Sequence, residues 1–388
     1  LRFPEFTEEW KAEQLDNIAT LSKGIGISKE QLSEDGEPCI LYGELYTKYK
    51  SEIIKQVESK TDINGSKLKR SKANDVIIPC SGETAVDIAT ARCVPFDNIL
   101  FGGDLNVISL HQYDGAFMSY QLNGKRKYDI ARVAQGVSIV HLYGEHLKAI
   151  KTYNPTLPEQ QKIAKLLSLL DDRIDTQNKI IEDLKKLKSA ISKQAFAQKP
   201  NGWNRLDTLF SKGKAGGTPT STNKEYYNGE IPFLSINDIT KQGKYVRYTE
   251  NHLSRSGLEN SSAWVVPEYS LIISMYASVG LVTINEVPIT TSQAMFAMQL
   301  RDKDLLDYLY YYLSYFKYRH IHKYLETGTQ SNINADIVRG IMIPTYGHSR
   351  NMKIASTLQG IDAKIDNELS VLKLFNRQKN YLLSQMFI

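Results

Sequence analysis

The chain has 388 residues, a formal net charge of +5, and 41% hydrophobic against 23% charged residues. That length exceeds one ordinary hydrophobic core and sets two to three domains as the expectation, in a soluble globular composition. No run of about 18 apolar residues is present to cross a bilayer, and no basic-then-apolar leader opens the sequence. Three cysteines without a C-x-x-C spacing fit no disulfide framework, which points to a reducing cytoplasm. The mild basicity permits nucleic-acid binding without requiring it.

Taken in order, residues 1–155 read as a first globular half. Trp10 and a short turn at Leu15–Ile18 lead to Lys23-Gly24-Ile25-Gly26. Strands are expected at Asp75–Pro79 and Asn106–Leu110, separated by the polar run Ser81-Gly82-Glu83-Thr84. The stretch 46–70 is rich in lysine and carries a turn signal at Ile63-Asn64-Gly65-Ser66. The pattern then predicts one helix over Tyr113–Val133. Asn154-Pro155 and Leu157-Pro158 break the chain and restart it as helix. Lys199-Pro200-Asn201-Gly202 ends that helix.

Residues 203–346 repeat the plan. Gly216-Gly217-Thr218-Pro219 precedes Tyr226-Tyr227-Asn228-Gly229, an Asn-Gly turn into a strand near Ile231–Leu234. Ser270–Ser274 and Ala294–Leu300 parallel the two strands of the first half. Asp304–Tyr324 is an aromatic-rich helix pattern, and Gly328-Thr329-Gln330-Ser331-Asn332 follows it as Gly136 follows its counterpart.

The repeat is plainest in two long helical stretches, 159–196 and 352–387. Shifted by 191 they register without a gap: Lys162-Ile163-Ala164 on Lys353-Ile354-Ala355, Leu170-Asp171 on Ile361-Asp362, and Phe196 on Phe387. Apolar residues recur at 163, 167, 170, 174, 181, 184, 191 and 195 in a 4-3 alternation, and the second copy uses the same slots. Both copies break the seam at the same two places, Gln177 with Glu368 and Lys188 with Lys379. Polar seam residues lower stability and fix register, so these four are the candidate register residues. One helix cannot bury such a stripe alone. Its expected partner is the other copy, against the alternative that each helix packs only on its own half.

Catalytic signatures are missing from the sequence. There is no phosphate-binding G-x-x-x-x-G-K-[ST], no H-E-x-x-H and no G-x-S-x-G. Gly213, Gly216 and Gly217 are spaced wrongly for a dinucleotide fingerprint and read as a turn. His320 and His322 are two apart on a helix and face different ways, which argues against a metal. Each cysteine reads as a small buried apolar group. What remains is basic and polar loops, whose lysines, arginines and hydroxyls suit phosphate and base-edge contacts. In the first half the candidates are Lys48, Lys50, Lys69, Arg70, Ser81, Thr84, Lys125 and Arg126. In the second they are Lys212, Lys214, Thr218, Thr220, Asn223 and Lys224, with Tyr276, Ser278, Gln330 and Asn332. For any single run a solvated charged face is the plainer reading; the matching runs in both halves put DNA binding on an equal footing with it.

Pro158-Glu159-Gln160-Gln161-Lys162-Ile163-Ala164 with Leu170-Asp171 and Ile174, its echo at 353–365, and the run from Gly216-Gly217-Thr218-Pro219 to Ile231-Pro232 together resemble the specificity (S) subunits of type I restriction–modification systems. The resemblance covers essentially the whole chain. It implies an α+β architecture of two mixed α/β target-recognition domains, 1–155 and 200–346, each followed by a long spacer helix, 156–199 and 347–388. The helices would pair as an antiparallel coiled coil. About 38 residues give roughly 57 Å of helix, longer than one ~34 Å duplex turn. The chain itself would be non-catalytic and would read a split double-stranded DNA target. Two methyltransferase (M) subunits using S-adenosylmethionine, and restriction/translocase (R) subunits using ATP and Mg, would be its partners. Two other readings stay open at this point: a coiled-coil adaptor that never touches DNA, and a DNA-modifying enzyme with an unrecognised site.

Overall fold

Two helices dominate the chain, Leu157–Phe196 and His348–Gln385, of 40 and 38 residues. Pro158 sits in the first turn of the first, where a missing N–H costs nothing, and Glu159 follows where the helix dipole favours an acid. The structure, a computed structural model, describes residues 1–63, 65, 67–324 and 332–388. By contacts the chain divides into two units, Leu1–Ile180 with Leu369–Ile388, and Ile181–Glu368. Each unit therefore holds one mixed α/β domain, one end of the first long helix and the opposite end of the second.

In the first unit an antiparallel sheet has the spatial order Ala19–Lys23, Leu105–Leu110, Asp75–Pro79, Arg92–Val94. The second unit repeats it as Phe210–Ala215, Met295–Leu300, Leu271–Ser274, Val282–Asn285, and adds Tyr245–Val246 in parallel at the edge. A smaller sheet accompanies each. Glu37–Ile40 runs parallel to Leu100–Phe101, as Phe233-Leu234 runs parallel to Thr290-Thr291. A two-stranded ribbon ties the domain's two ends: Lys11 pairs Asn154 in one unit and Gly202 pairs Thr345 in the other, the same pairing shifted by 191. The expected strands at 75–79, 106–110, 270–274 and 294–300 are all present to within a residue.

Two expectations need correction. The helix predicted over Tyr113–Val133 is two helices, Gly115–Asn123 and Lys127–Val133. Asp114 caps the first, accepting from the Phe117 N–H at 2.7 Å, and Gly124 ends it. An apolar period that continued past Gly124 hid the break. The aromatic pattern at 304–324 is likewise a helix only over Leu306–Arg319, with single 3-10 turns before and after. The predicted turn at 63–66 includes Asn64 and Ser66, which lie outside the described residues.

The missing Gly-Gly-Thr-Pro signature of the first half has a structural answer. The Gly24 N–H donates to the Leu105 carbonyl and the Ile25 N–H to Phe101; in the second unit the Gly216 N–H donates to Met295 and the Gly217 N–H to Thr291. A Cβ on Gly24 would stand 1.9 Å from the Gly102 oxygen, and one on Gly216 2.0 Å from the Thr291 oxygen. Lys23-Gly24-Ile25-Gly26 thus makes the same close approach with different letters.

The helical seam is buried as its period demands. Every predicted apolar slot is buried or half-buried, and so are Gln177, Glu368, Lys188 and Lys379. In the first unit Ile163, Ala164 and Leu167 pack with Phe117 and Tyr120 of the domain and with Leu382, Met386 and Phe387 from the far end of the second helix. In the second, Ala355 and Leu358 pack with Tyr308, Tyr311 and Tyr312 and with Ile191 and Phe196 from the end of the first helix. The helices pair antiparallel, and the seam serves the partner helix and a domain at once. The stripe meets its expected partner, the other copy, and a domain as well, so the alternative that each helix packs only on its own half does not hold.

Candidate nucleic-acid interface

Strand register brings three loops to one end of each sheet. In the second unit Ala215 lies opposite Phe296, and Ser274 opposite Met295. The loops leaving Ala215 and Ser274 and the loop entering Met295 therefore emerge together. Gly216, Gly217 and Pro219 are buried there while Thr218 and Thr220 are exposed, so the glycine-rich motif frames a rim of hydroxyls. Thr218 hydrogen-bonds Gln293 across this end. Lys212 lies over the Trp264 ring at 4.4 Å and Lys214 donates to the Ser262 carbonyl. Asn223 accepts from the Glu225 N–H, holding Lys224 outward on a 3-10 turn. Tyr276, Ala277 and Ser278 form an exposed turn in which Ala277 and Ser278 take left-handed φ of 41° and 49°. Such conformations are costly for side-chain-bearing residues and gather at binding sites. The Ser274 hydroxyl donates to the Ser278 carbonyl at 2.7 Å and steadies the turn. The Ile333 N–H donates to Met275, bringing Asn332 beside it. Gln330 lies outside the described residues.

The first unit builds the same end with other chemistry. Lys23 lies opposite Asn106, and Pro79 opposite Leu105. Ser81 follows Pro79 and pairs with His141 across a two-residue ladder; its hydroxyl is 3.3 Å from the His141 Nδ1. Thr84 caps the Ala85–Ile88 helix, accepting from the Asp87 N–H. Tyr143 stacks near His141 and lies under the Lys23 ammonium at 5.5 Å. Sequence reasoning missed Lys23, His141, Tyr143, Trp264 and Gln293. No period marks a residue that reaches the site through pairing far along the chain; only the shared glycine approach pointed at Lys23.

The basic candidates separate once their partners are visible. Arg70 grips Glu37 through both terminal nitrogens, and Lys48 pairs with Glu44 and Ser59. Lys55, from the same run, bridges Asp172 and Asp175 on the first long helix at 2.7 Å. Arg126 lies over the Tyr153 ring and pairs with Asp129, beside the end of the second helix. These arginines and lysines are committed to protein carboxylates. Lys50, Lys69 and Lys125 have no ion pair among the described residues. The thiols are inert: burial pushes Cys39 and Cys80 up to about 11 and Cys93 to about 12.

The register residues gave the sharpest geometry. Lys379, on the second helix, contacts Asp171 of the first at 2.7 Å and Glu52 of the domain at 2.6 Å. The Tyr120 hydroxyl donates to the same Asp171 at 2.7 Å, and its ring lies 5.9 Å from the ammonium. In the other unit Lys188 contacts Asp362 at 2.5 Å, the Tyr311 hydroxyl donates to Asp362 at 2.8 Å, and the ring lies 5.3 Å from that ammonium. All three members differ by 191 in number. The Lys–Asp pairs also share one sum of residue numbers, as two rungs of a single antiparallel register must. Burial alone would pull the Lys379 ammonium down; Glu52 and Asp171 outweigh it and hold it above the ordinary lysine value. Gln177 and Glu368 are buried, and Glu368 is also gripped by Lys364 one turn away.

Residues 7–186 and 200–373 each match the type I restriction modification DNA specificity domain. The chain belongs to that family. The match takes in both globular domains and most of both long helices, and stops short of the helix ends beyond 186 and 373. Curated relatives include the MjaIX specificity subunit of Methanocaldococcus jannaschii, 25% identical over 45% of this chain, and the HindI specificity subunit of Haemophilus influenzae, 32% identical over 29%. These matches span 40% and 24% of the relatives' own lengths. The S subunit of a type I restriction–modification system from M. genitalium shares the fold over 100% of this chain and 97% of its own, with a TM-score of 0.64 at 17% identity.

Proposed function

We propose that this family member is the non-catalytic, sequence-reading subunit of a type I restriction–modification complex, each recognition domain reading one half of a bipartite double-stranded DNA target. One observation carries this reading: two copies of the same loop-bearing frame on one antiparallel helix pair, with different side chains at the same sheet end. Lys23, Ser81, His141 and Tyr143 occupy one end; Thr218, Tyr276, Ser278 and Gln293 occupy the other. Frames of one plan with unlike tips suit two unlike half-sequences, since base edges are read by the tips and the frame only positions them. The adaptor reading gives no reason for the tips to differ while the frame is kept.

The chemistry of modification and cleavage falls to partners. Exposed apolar side chains along the helices, among them Leu169, Leu187 and Leu374, supply docking area for methyltransferase subunits. S-adenosylmethionine, ATP and Mg would be held by those partners and by the restriction subunits, in the cytoplasm. Titration of DNA binding against salt tests the reading. With about six phosphates engaged, log K should fall against log salt with a slope of about −5. No DNA affinity, even with methyltransferase subunits present, would overturn it.

A further inference from the structure

We propose that Tyr120, Asp171 and Lys379, with their counterparts Tyr311, Asp362 and Lys188, are positioning residues for DNA reading: each trio locks a recognition domain to both long helices at one fixed angle. The proposal rests on the reading function above. Each trio joins three separate elements. Tyr120 comes from the domain helix Gly115–Asn123, Asp171 from the first long helix, Lys379 from the second; Tyr311, Asp362 and Lys188 repeat this from Leu306–Arg319, the second helix and the first.

Stability alone does not account for them. Burying an ion pair costs so much desolvation that well-packed apolar residues serve about as well or better, and polar groups at such places are best attested as fixing register. The surroundings have also diverged while the trio has not. In the first unit Glu52 is the second carboxylate on Lys379. In the second, Lys244 pairs with Asp307 at 2.6 Å and donates to the Tyr311 hydroxyl at 3.1 Å. Between the two domain helices little identity survives, yet the tyrosine is the same in both. A directional three-way contact kept through that drift is a device for geometry. An apolar contact tolerates sliding by a fraction of a turn, whereas a hydroxyl, a carboxylate and an ammonium meet in one arrangement only.

The test uses the full chain with two readouts. Nitroxide labels at Glu34→Cys on the first domain and Lys165→Cys on the first helix report their distance distribution without DNA; the native cysteines are buried. Tyr120→Phe, which removes one hydroxyl, and Lys379→Met should broaden that distribution, and Lys379→Arg should restore most of its width. In the second readout, duplexes carry the mapped target with its gap changed by one base pair. Discrimination against the altered gap should fall about tenfold in both variants while base discrimination within each half stays unchanged. A distribution as narrow in the variants as in the wild type overturns the proposal, as does an unchanged gap profile. A wild type that binds no DNA overturns the reading function instead, and the label distances, read without DNA, tell the two failures apart. Should Lys379→Met fail to fold, Tyr120→Phe carries both readouts.

Discussion

At the scale of single residues the two halves predict an asymmetry. Removing Lys379 leaves Asp171 and Glu52, 3% and 6% exposed, without the ammonium that pairs them, and the buried Arg92 guanidinium as the positive charge still near both. Lys379→Met should therefore destabilise the first unit by about 3–5 kcal/mol. The Lys188 and Asp362 side chains are 30% and 23% exposed, so Lys188→Met should cost the second unit about 1 kcal/mol or less. Hydrogen exchange resolved by unit measures both. The same lysine gives a pH signature. Because its ammonium is held above the ordinary value, its contribution is fully present below about pH 10.4 and is lost as pH rises through the raised value. Wild type should lose more stability than Lys379→Met along that alkaline limb, as denaturant midpoints would record. The sequence marked Lys188 and Lys379 as seam interruptions, and Asp171 with Asp362 as matched positions. It carried no sign that these residues meet, because contact between two helices depends on their direction of pairing.

At the scale of elements the heptad seam separates two kinds of leucine. Leu167 and Leu358 are wholly buried at equivalent slots, and Leu167→Ala or Leu358→Ala should each cost about 2–5 kcal/mol in its own unit. Leu169, 48% exposed one face away, should change stability by about 0.5 kcal/mol or less on truncation to alanine. Thermal melts of the three variants decide whether the seam has been placed correctly. The period made this stripe legible because burial along a long helix is a local property repeated many times. The break at Gly124 was less legible: a glycine inside an apolar period ends a helix only when the capping contacts around it, here the Gly124 N–H on the Tyr120 carbonyl and the Arg126 N–H on the Gln121 carbonyl, favour two short pieces over one. The Phe387 ring against Trp10 and Phe117 was not legible at all, since it joins the two ends of the chain.

For the whole molecule, the repeat was readable from end to end, and the structure carries it into the main sheet, the smaller sheet and the ribbon of each unit, including the glycine approach that the first half spells differently; the Ser81–Gly82 ladder with Val140–His141 has no counterpart among the described residues. The loop tips proposed to read DNA were only partly readable. Thr218, Tyr276, Ser278 and Ser81 follow strand ends and could be placed from the strands alone. Lys23, Tyr143 and Gln293 reach the same ends through long-range pairing, and Arg70 and Arg126 look available in sequence although carboxylates hold them. Under the proposed reading function, separate tips on a shared frame should make the halves exchangeable. The central claim is therefore tested most directly by mapping methylated adenines across a genome carrying the chain, and again with residues 1–155 replaced by another recognition domain. A single two-part motif of fixed gap, of which only one half changes on replacement, is the predicted result. No motif dependent on the chain, or a change in both halves at once, would contradict the account.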